Sequence, residues 1–330
     1  MSKTTLIKAT GIDRYYGNSH AVKNLDLELN VGDILGFLGP NGAGKSTTMQ
    51  IISGTLAPDA GQIMINGFDL VEQPTLAKQQ LGYLPEQPPL YKELTVNEYL
   101  HYCAQLRNIN KDSILSALDT AKQRCGLSDV GQQLINSLSK GFQQRVGIAQ
   151  AIIHNPAVII LDEPTVGLDP IQIQEIRQLI IELGQHHGII LSTHILPEVQ
   201  AVCNRVQIIR QGQLVFNSDM SSIEASHHNQ QLELQFKHNA DASLLENIAG
   251  ILGVEKISEQ LFSIQLCEDE DDAARAINSL LTTVIQQNWG LVRFSPGVRS
   301  LEQIFIELTT SDSNNSDQSD AGLTAKETAA

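Results

Sequence analysis

Eight residues, GPNGAGKS from Gly39 to Ser46, match the phosphate-binding pattern G-x-x-x-x-G-K-[ST] in full. Glycines allow backbone N–H groups to close around phosphate oxygens, and the start of the following helix adds a positive dipole. The Lys45 ammonium would lie between the terminal phosphates, and the Ser46 hydroxyl would bind Mg²⁺. The pattern therefore predicts a phosphate site formed by Gly39, Pro40, Asn41, Gly42, Ala43, Gly44, Lys45, Ser46 and Thr47.

The context of this glycine loop supports the same chemistry. The loop follows the apolar run DILGFL and precedes the helix-like run STTMQIISGTL. A strand, a loop and a helix in this order are what phosphate binding requires, whereas a plain glycine turn with a solvated lysine requires no such flanks. We therefore favour the phosphate site over the plain turn.

Two adjacent carboxylates, Asp162 and Glu163, end the apolar run AVIIL. At the end of a strand beside a phosphate loop, Asp162 can reach Mg²⁺, usually through water. Glu163 points differently and can polarise a water for attack on the γ-phosphate, and such general-base assistance contributes ~10²–10⁴-fold in rate. An isolated DEP sequence would only end a strand and begin a helix, but together with a phosphate loop it indicates hydrolysis.

The elements that position these residues divide the chain into parts. Residues 1–225 alternate apolar strand-like runs with helical runs, which predicts an α/β domain with a largely parallel sheet. A polar linker, SSIEASHHNQ, precedes a β-α-β-α-β-α pattern over residues 226–310, which predicts a small α+β domain. Its first helix is predicted over DASLLENIAGIL, and the polar residues 311–330 predict a disordered tail. The acidic run EDEDD from Glu268 to Asp272 is typical of a solvated helix start rather than a metal site.

Composition limits the classes of function. Among 330 residues, 42% are hydrophobic and 18% charged, and no apolar run approaches the roughly 20 residues that span a bilayer. The start MSKTTLIKAT lacks a signal peptide, and the four cysteines are scattered, so we expect a cytoplasmic chain with reduced thiols. A formal net charge of −15 argues against nucleic acid as a partner.

Further motifs complete a family resemblance. In order, the chain carries the phosphate loop, LSKGFQQR from Leu138 to Arg145, IILDEP, GLD from Gly167 to Asp169, and STH ending at His194. This order resembles the nucleotide-binding subunits of ATP-binding cassette (ABC) transporters. The resemblance implies a P-loop NTPase cassette: a RecA-like core with a helical subdomain and an antiparallel β subdomain. It covers most of the first 225 residues.

The resemblance assigns roles in binding ATP and in its hydrolysis. Tyr16 in YYGNSHAV would stack on adenine with Val22 beside it, although the adjacent Tyr15 leaves this assignment open by one position. His194 would act as the switch histidine that contacts the γ-phosphate. Glu86 in GYLPEQ stands where most of the family has a glutamine, and its carboxylate would approach Mg²⁺ or a water bound to it. The implied metal ligands are therefore Ser46, Glu86 and Asp162.

The LSKGFQQR motif implies a second copy of the chain. The Ser139 hydroxyl and the start of the next helix form another anion site. The resemblance implies a head-to-tail homodimer in which Ser139 and Gly141 of one subunit contact the γ-phosphate held by Lys45 of the other. Lys140 and Phe142 replace the more usual glycine and glutamine.

A membrane permease is the second partner that the resemblance implies. The segment between the phosphate loop and the signature, residues 84–137, would dock its cytoplasmic helices and hold this subunit at the inner face of the membrane. The signature SKGF, the sequence GYLPE and the C-terminal extension are typical of subunits paired with ABC-2-like exporters, including those for multidrug export, antibiotic resistance and gliding motility. The C-terminal domain would then be regulatory or would stabilise the dimer.

Two alternatives remain open. The first is a soluble ABC-type ATPase that acts on ribosomes, DNA or iron–sulfur assembly, but the chain has a single cassette and no long coiled-coil insertion between Ser46 and Ser139. The second is a P-loop GTPase, but Asn110, Lys111 and Asp112 lack the spacer of the N-K-x-D motif that reads guanine.

Overall fold

A computed structural model describes residues 4–225, 231–267, 269–296 and 301–310. The chain divides into two compact units, Met1–Ser218 and Asp219–Ala330. The sequence pattern had placed this division at residues 225 and 226. The polar run predicted as a linker begins within a helix, Met220–Ala225, and residues 226–230 lie outside the described residues. The tail predicted over residues 311–330 also lies outside them.

The strands are β1 (Thr5–Tyr16), β2 (Ser19–Asn30), β3 (Ile34–Leu38), β4 (Ala60–Ile65), β5 (Phe68–Asp69), β6 (Leu81–Leu84), β7 (Val158–Asp162), β8 (Gly188–Thr193), β9 (Arg205–Arg210), β10 (Gln213–Asp219), β11 (Gln231–Phe236), β12 (Ile251–Lys256), β13 (Leu261–Leu266) and β14 (Leu291–Pro296). The helices are α1 (Lys45–Ile52), α2 (Pro74–Gln79), α3 (Val96–Leu106), α4 (Ile114–Arg124), α5 (Lys140–Ile152), α6 (Pro170–Gly184), α7 (Leu196–Val202), α8 (Met220–Ala225), α9 (Ala242–Glu246), α10 (Glu270–Gln286) and α11 (Leu301–Thr310).

The central sheet of the N-terminal unit has the strand order β10-β9-β3-β8-β7-β6. The pairs β9/β3, β3/β8, β8/β7 and β7/β6 are parallel. Strands β3, β7 and β8 are buried along their whole length, as expected for strands covered on both faces. The predicted α/β cassette is thereby confirmed, and the carboxyl ends of these strands lie at one edge, where Leu38 pairs with Thr193 and Asp162 with Ser192.

An antiparallel sheet and a group of helices complete this unit. The second sheet has the order β2-β1-β4-β5. The hairpin of β1 and β2 pairs Tyr16 with Ser19, which places this tyrosine beside the turn. Helices α3, α4 and α5 pack against one another. Helix α3 begins with a capping box, in which Thr95 and Glu98 satisfy each other's backbone N–H groups.

The C-terminal unit is a split β-α-β arrangement of β11, α9, β12, β13, α10 and β14. Its antiparallel sheet has the order β12-β13-β11-β14. Asp269 caps the amino terminus of α10, where its side chain accepts hydrogen bonds from the N–H groups of Asp271 and Asp272 in the acidic run. The helix predicted over DASLLENIAGIL is wrong beyond Glu246, because α9 ends there and Ile251 pairs with Leu266 in the sheet. Gly250, with a φ of 90°, separates helix from strand.

Candidate functional site

The glycine loop connects β3 to α1 and takes a conformation that needs its glycines. Gly42 and Gly44 have φ angles of 79° and 108°, which L side chains rarely adopt. A Cβ atom on Gly44 would lie 2.6 Å from the carbonyl oxygen of Ala21. The loop therefore packs closely on the antiparallel sheet and leads directly into the amino terminus of α1, where backbone N–H groups are free to bind an anion.

The Lys45 side chain lies inside this loop and is only 6% exposed. Its Nζ donates hydrogen bonds to the carbonyl oxygens of Gly39 at 2.8 Å and Pro40 at 3.3 Å, and it lies 3.8 Å from Glu163 Oε1. Burial lowers the pKa of Lys45 from its usual value, whereas the carboxylates of Glu163 and Asp162 oppose that shift. The ammonium is thus held at the position where phosphate oxygens would enter.

Asp162 ends β7 and is a buried carboxylate with one oxygen that accepts no hydrogen bond within the part of the chain that the structure describes. It is 2% exposed, and its Oδ1 has no hydrogen-bond partner among the described residues. Burial raises the pKa of Asp162, and the hydroxyls of Ser192 and Ser46 oppose the rise. An unpartnered, buried carboxylate oxygen close to a serine hydroxyl is a donor set that fits Mg²⁺, which prefers oxygen ligands.

Glu163 takes an unusual backbone conformation that turns its side chain toward His194. Its φ is +49°, a left-handed value that costs a non-glycine residue about 1–3 kcal/mol. Its N–H donates to Ser192 O at 2.8 Å, which fixes it against β8. The Nδ1–H of His194 donates to Glu163 Oε1 at 2.9 Å, so the two predicted catalytic side chains lie in direct contact.

A buried network that the sequence reasoning missed lies behind this pair. Glu198, in the first turn of α7, accepts a hydrogen bond from Thr193 Oγ1 at 2.7 Å and another from the Thr165 hydroxyl. All three side chains are buried. Thr193 directly precedes the predicted histidine, but no spacing rule distinguishes Glu198 from an ordinary helix-start glutamate.

The phosphate loop and the pair Glu163 and His194 border a pocket of about 480 Å³. Its lining residues are Tyr16, Ala21, Asn41, Gly42, Gly44, Lys45, Ser46, Thr47, Glu86, Glu163, Val166 and His194. The pocket thus brings the phosphate loop together with Glu86 and with both predicted catalytic side chains. Sequence reasoning missed Ala21 and Val166, which contribute small apolar surfaces to the wall.

The residues predicted to contact adenine differ in their position relative to the pocket. Tyr16 lines the pocket, whereas the Tyr15 ring is stacked on His20 with ring centroids 3.9 Å apart. The expected contact of Val22 with the base is corrected, because Val22 is 0% exposed and belongs to the hydrophobic core. Alternation along β2 turns Ala21 to the pocket instead.

Ser139 and Gly141 do not line this pocket. The Ser139 hydroxyl caps α5 by accepting a hydrogen bond from Phe142 N at 3.3 Å. A Cβ atom on Gly141 would meet the side chain of Gln172, and one on Gly167 would meet the Lys140 ammonium. The signature therefore packs against the GLD segment of its own chain, and its Ser139 and Gly141 are not among the residues that line the pocket.

A family model described as "ABC transporter" matches residues 22–166. The bacitracin transport ATP-binding protein BcrA of Bacillus licheniformis is 39% identical over 214 residues, which are 64% of this chain and 69% of that protein. The linearmycin resistance ATP-binding protein LnrL of Bacillus subtilis is 28% identical over 308 residues, 92% of this chain and 98% of that protein.

A solved structure shares the fold. It is the dimeric structure of a post-hydrolysis state of the ATP-binding cassette MJ0796 bound to ADP and Pi, with 23% identity and a TM-score of 0.59. The match covers 65% of this chain and 99% of that one. Within the part of the chain that the structure describes, no helix is long and apolar enough to cross a membrane.

Proposed function

Because this chain belongs to the ATP-binding, ATP-hydrolysing subunits of ABC transporters, we propose that it powers an exporter of the ABC-2 type. The two relatives support this proposal, since one is named for bacitracin transport and the other for linearmycin resistance. The match to LnrL extends over 92% of the chain and so includes the C-terminal unit. The subunit would work at the cytoplasmic face of the membrane, held there by its permease.

In the proposed complex, ATP occupies the pocket at the carboxyl edge of the parallel sheet. Tyr16 stacks on the adenine ring, and the loop N–H groups of residues 41–47 surround the phosphates with Lys45. Ser46, Asp162 and Glu86 are the residues that would hold Mg²⁺, which when bound neutralises charge on the β- and γ-phosphate oxygens. Glu86 lines the pocket, so its carboxylate is available to this ion or to a water bound to it.

Hydrolysis then depends on the contact between Glu163 and His194, which is the observation that carries the proposed chemistry. Glu163 accepts a proton from the attacking water. Because Nδ1–H of His194 is engaged with Glu163 at 2.9 Å, Nε2 is the ring nitrogen left to the γ-phosphate, to which it donates when both ring nitrogens carry a proton. Lys45 Nζ lies 3.8 Å from Glu163 Oε1, so the ammonium would stand beside both the phosphate oxygens and the proposed base.

A second copy of the chain would complete the pocket. Ser139 and Gly141 do not line the pocket of their own chain, so they would serve the nucleotide of a partner. Apolar side chains in the neighbouring segments support a protein contact there, since Phe142 and Val166 are each 37% exposed and Ile171 is 72% exposed. The proposed cycle closes this dimer on two ATP molecules and reopens it when γ-phosphate contacts are lost.

The permease would dock in a groove of about 450 Å³ that Tyr83, Tyr91, Tyr99 and Tyr102 line together with Leu106 and Arg107. Most of these residues belong to the segment from 84 to 137. The Tyr91 ring lies 5.5 Å from that of Tyr102 and 6.1 Å from that of Tyr99, and Leu106 is 63% exposed. An exposed aromatic groove with a cationic edge suits an amphipathic helix that carries an acidic residue.

The experiment that tests this function is an affinity pull-down of tagged, full-length Glu163→Gln protein from gently solubilised membranes with ATP, followed by mass spectrometry. We expect a multi-span membrane protein, retained by an added Leu115→Asp change and lost with Leu106→Asp. Leu115 is the matched control, because it is 72% exposed on α4 but does not line the groove. Ribosomal proteins or a soluble complex without a membrane protein would instead support the soluble ATPase.

A further inference from the structure

Glu198 joins the two segments that follow the catalytic strands. One of its carboxylate oxygens accepts a hydrogen bond from Thr165, two residues after Glu163 and two before the GLD segment. The other accepts from Thr193, which directly precedes His194, at 2.7 Å. Through these two bonds one side chain connects the end of β7 to the end of β8.

The burial of Glu198 makes these two hydroxyl bonds obligatory. The side chain is 2% exposed, and a carboxylate removed from water is strongly unfavourable unless hydrogen-bond donors replace the solvent. Thr165 and Thr193 are themselves 3% and 0% exposed, so water does not substitute readily for either hydroxyl. Each threonine is therefore held in the one orientation that directs its proton to Glu198.

This orientation matters for the catalytic carboxylate, because a hydroxyl has a single proton to donate. Thr193 Oγ1 lies 2.7 Å from Glu198 but also 3.4 Å from Glu163 Oε2. The shorter bond takes the proton and leaves the Glu163 carboxylate with His194 as its close partner at 2.9 Å. Without the Glu198 acceptor, the Thr193 hydroxyl would turn toward Glu163 and occupy the oxygen that must receive a proton from water.

We infer that Glu198 is a positioning residue for ATP hydrolysis, which fixes Thr165 and Thr193 so that Glu163 and His194 keep the geometry of attack. It touches neither the nucleotide nor the pocket wall and acts only through the two threonines. The inference rests on the proposed roles of Glu163 and His194. It adds a link between the GLD segment and the switch histidine within one chain.

The test uses the full-length chain and the variants Glu198→Gln, Thr165→Val, Thr165→Ser and the double variant Glu198→Gln/Thr165→Val. Steady-state phosphate release gives kcat and KM, and a fluorescent ATP analogue gives the dissociation constant. We expect Glu198→Gln and Thr165→Val each to lower kcat by about tenfold or more, with KM and nucleotide affinity within about twofold of wild type. Thr165→Ser keeps the hydroxyl, so its kcat should lie within about twofold of wild type. The double variant Glu198→Gln/Thr165→Val should be no slower than the slower of its two single variants, because both changes break one network.

Asp33→Asn is the matched control for loss of a buried charge. Asp33 is 0% exposed, receives hydrogen bonds from Asn30 N at 3.0 Å and Arg205 at 2.7 Å, and precedes β3 at the edge of the sheet opposite the pocket. We expect it to lower the thermal unfolding midpoint and to leave the kcat of the folded protein unchanged. If Asp33→Asn lowers kcat as much as Glu198→Gln does, the effect is general destabilisation and the inference is wrong.

The same measurement on Glu163→Gln distinguishes the positioning role of Glu198 from the proposed catalytic function itself. If Glu163→Gln abolishes turnover while Glu198→Gln and Thr165→Val keep wild-type kcat, the positioning role is wrong and the proposed catalytic function stands. If Glu163→Gln turns over at the wild-type rate, the proposed function itself is wrong. Should Glu198→Gln fail to fold, the comparison of Thr165→Val with Thr165→Ser decides the question alone.

Discussion

The two units of this chain differ in the charge of their buried side chains. Among the described residues, the buried charged side chains all belong to the N-terminal unit: Asp33, Lys45, Asp162, Glu163 and Glu198. The C-terminal unit has a core of aliphatic and aromatic side chains around Phe236, Phe262 and Trp289. Asp33 lies at the opposite edge of the sheet and is paired with Arg205, whereas the other four lie at or behind the pocket edge. Because a buried charge opposes folding unless it is paired, the clustering of these four indicates a requirement of chemistry rather than of stability.

The largest effect that sharpens this contrast is expected from Glu163→Gln. The change keeps the size of the side chain but removes the proton acceptor, so ATP turnover should fall by ~10²–10⁴-fold. Phosphate release under saturating ATP measures it. Glu182→Gln is the control. Because Glu182 is exposed on α6, this variant should hydrolyse ATP at the wild-type rate. A wild-type rate for Glu163→Gln would show that Glu163 is not the proton acceptor and that its burial is not explained by catalysis.

The next effect concerns stability in the other unit. Phe236 is 1% exposed and its ring lies 5.7 Å from that of Phe262 and 5.5 Å from that of Trp289. Phe236→Ala should lower the free energy of unfolding of the C-terminal unit by about 3–5 kcal/mol. Denaturant unfolding followed by Trp289 fluorescence, the single tryptophan of the chain, measures this change. The kcat for ATP should stay within about twofold of wild type, and a large loss of kcat would contradict a purely structural core there.

A smaller effect separates the two tyrosines of the β1 hairpin. Tyr16→Ala should weaken ATP binding by about tenfold, because stacking on a base contributes about 1–3 kcal/mol. Tyr15→Ala is its matched control and should change the affinity by less than about threefold, since the Tyr15 ring stacks on His20 and not on the pocket wall. Equal losses for the two variants, measured by titration with a fluorescent ATP analogue, would refute this assignment.

The smallest effect is expected from deletion of residues 226–330, which removes the accessory domain but leaves every pocket residue in place. If this domain stabilises the dimer, the truncated chain should bind ATP normally and dimerise severalfold more weakly. Analytical ultracentrifugation and ATP turnover measure the two properties. Unchanged values for both would exclude a regulatory or dimer-stabilising role.

The convergence of Lys45, Asp162 and His194 could be predicted from the sequence because each stands at the end of an apolar run or shortly after one. Lys45 and His194 follow β3 and β8, and Asp162 ends β7; these strands are neighbours in one parallel sheet, so their carboxyl ends meet at one edge. The helix predicted over DASLLENIAGIL was wrong because a positive-φ glycine and pairing with β13 decide the structure locally. Val22 was misplaced because neighbouring residues of a strand point to opposite faces, so an error of one residue moves a side chain from the pocket to the core.

Glu198 was beyond sequence reasoning for a different reason. Its partners Thr165 and Thr193 lie 33 and 5 residues away, and their contacts arise only when β7 and β8 lie side by side. A glutamate in the first turn of a helix ordinarily faces solvent and complements the helix dipole. Only its burial distinguishes it from that ordinary role.

The central claim is that the charged edge of the N-terminal unit is half of an ATP site, which a second copy completes. The most direct measurement is the mass of full-length Glu163→Gln protein by light scattering, without nucleotide, with ADP and with Mg²⁺ and ATP. We predict that the 36.1 kDa chain doubles its mass with Mg²⁺ and ATP, but not with ADP or without nucleotide. An added Ser139→Arg change should abolish the doubling. A mass that stays monomeric although ATP binds, or that doubles regardless of nucleotide, would contradict the claim.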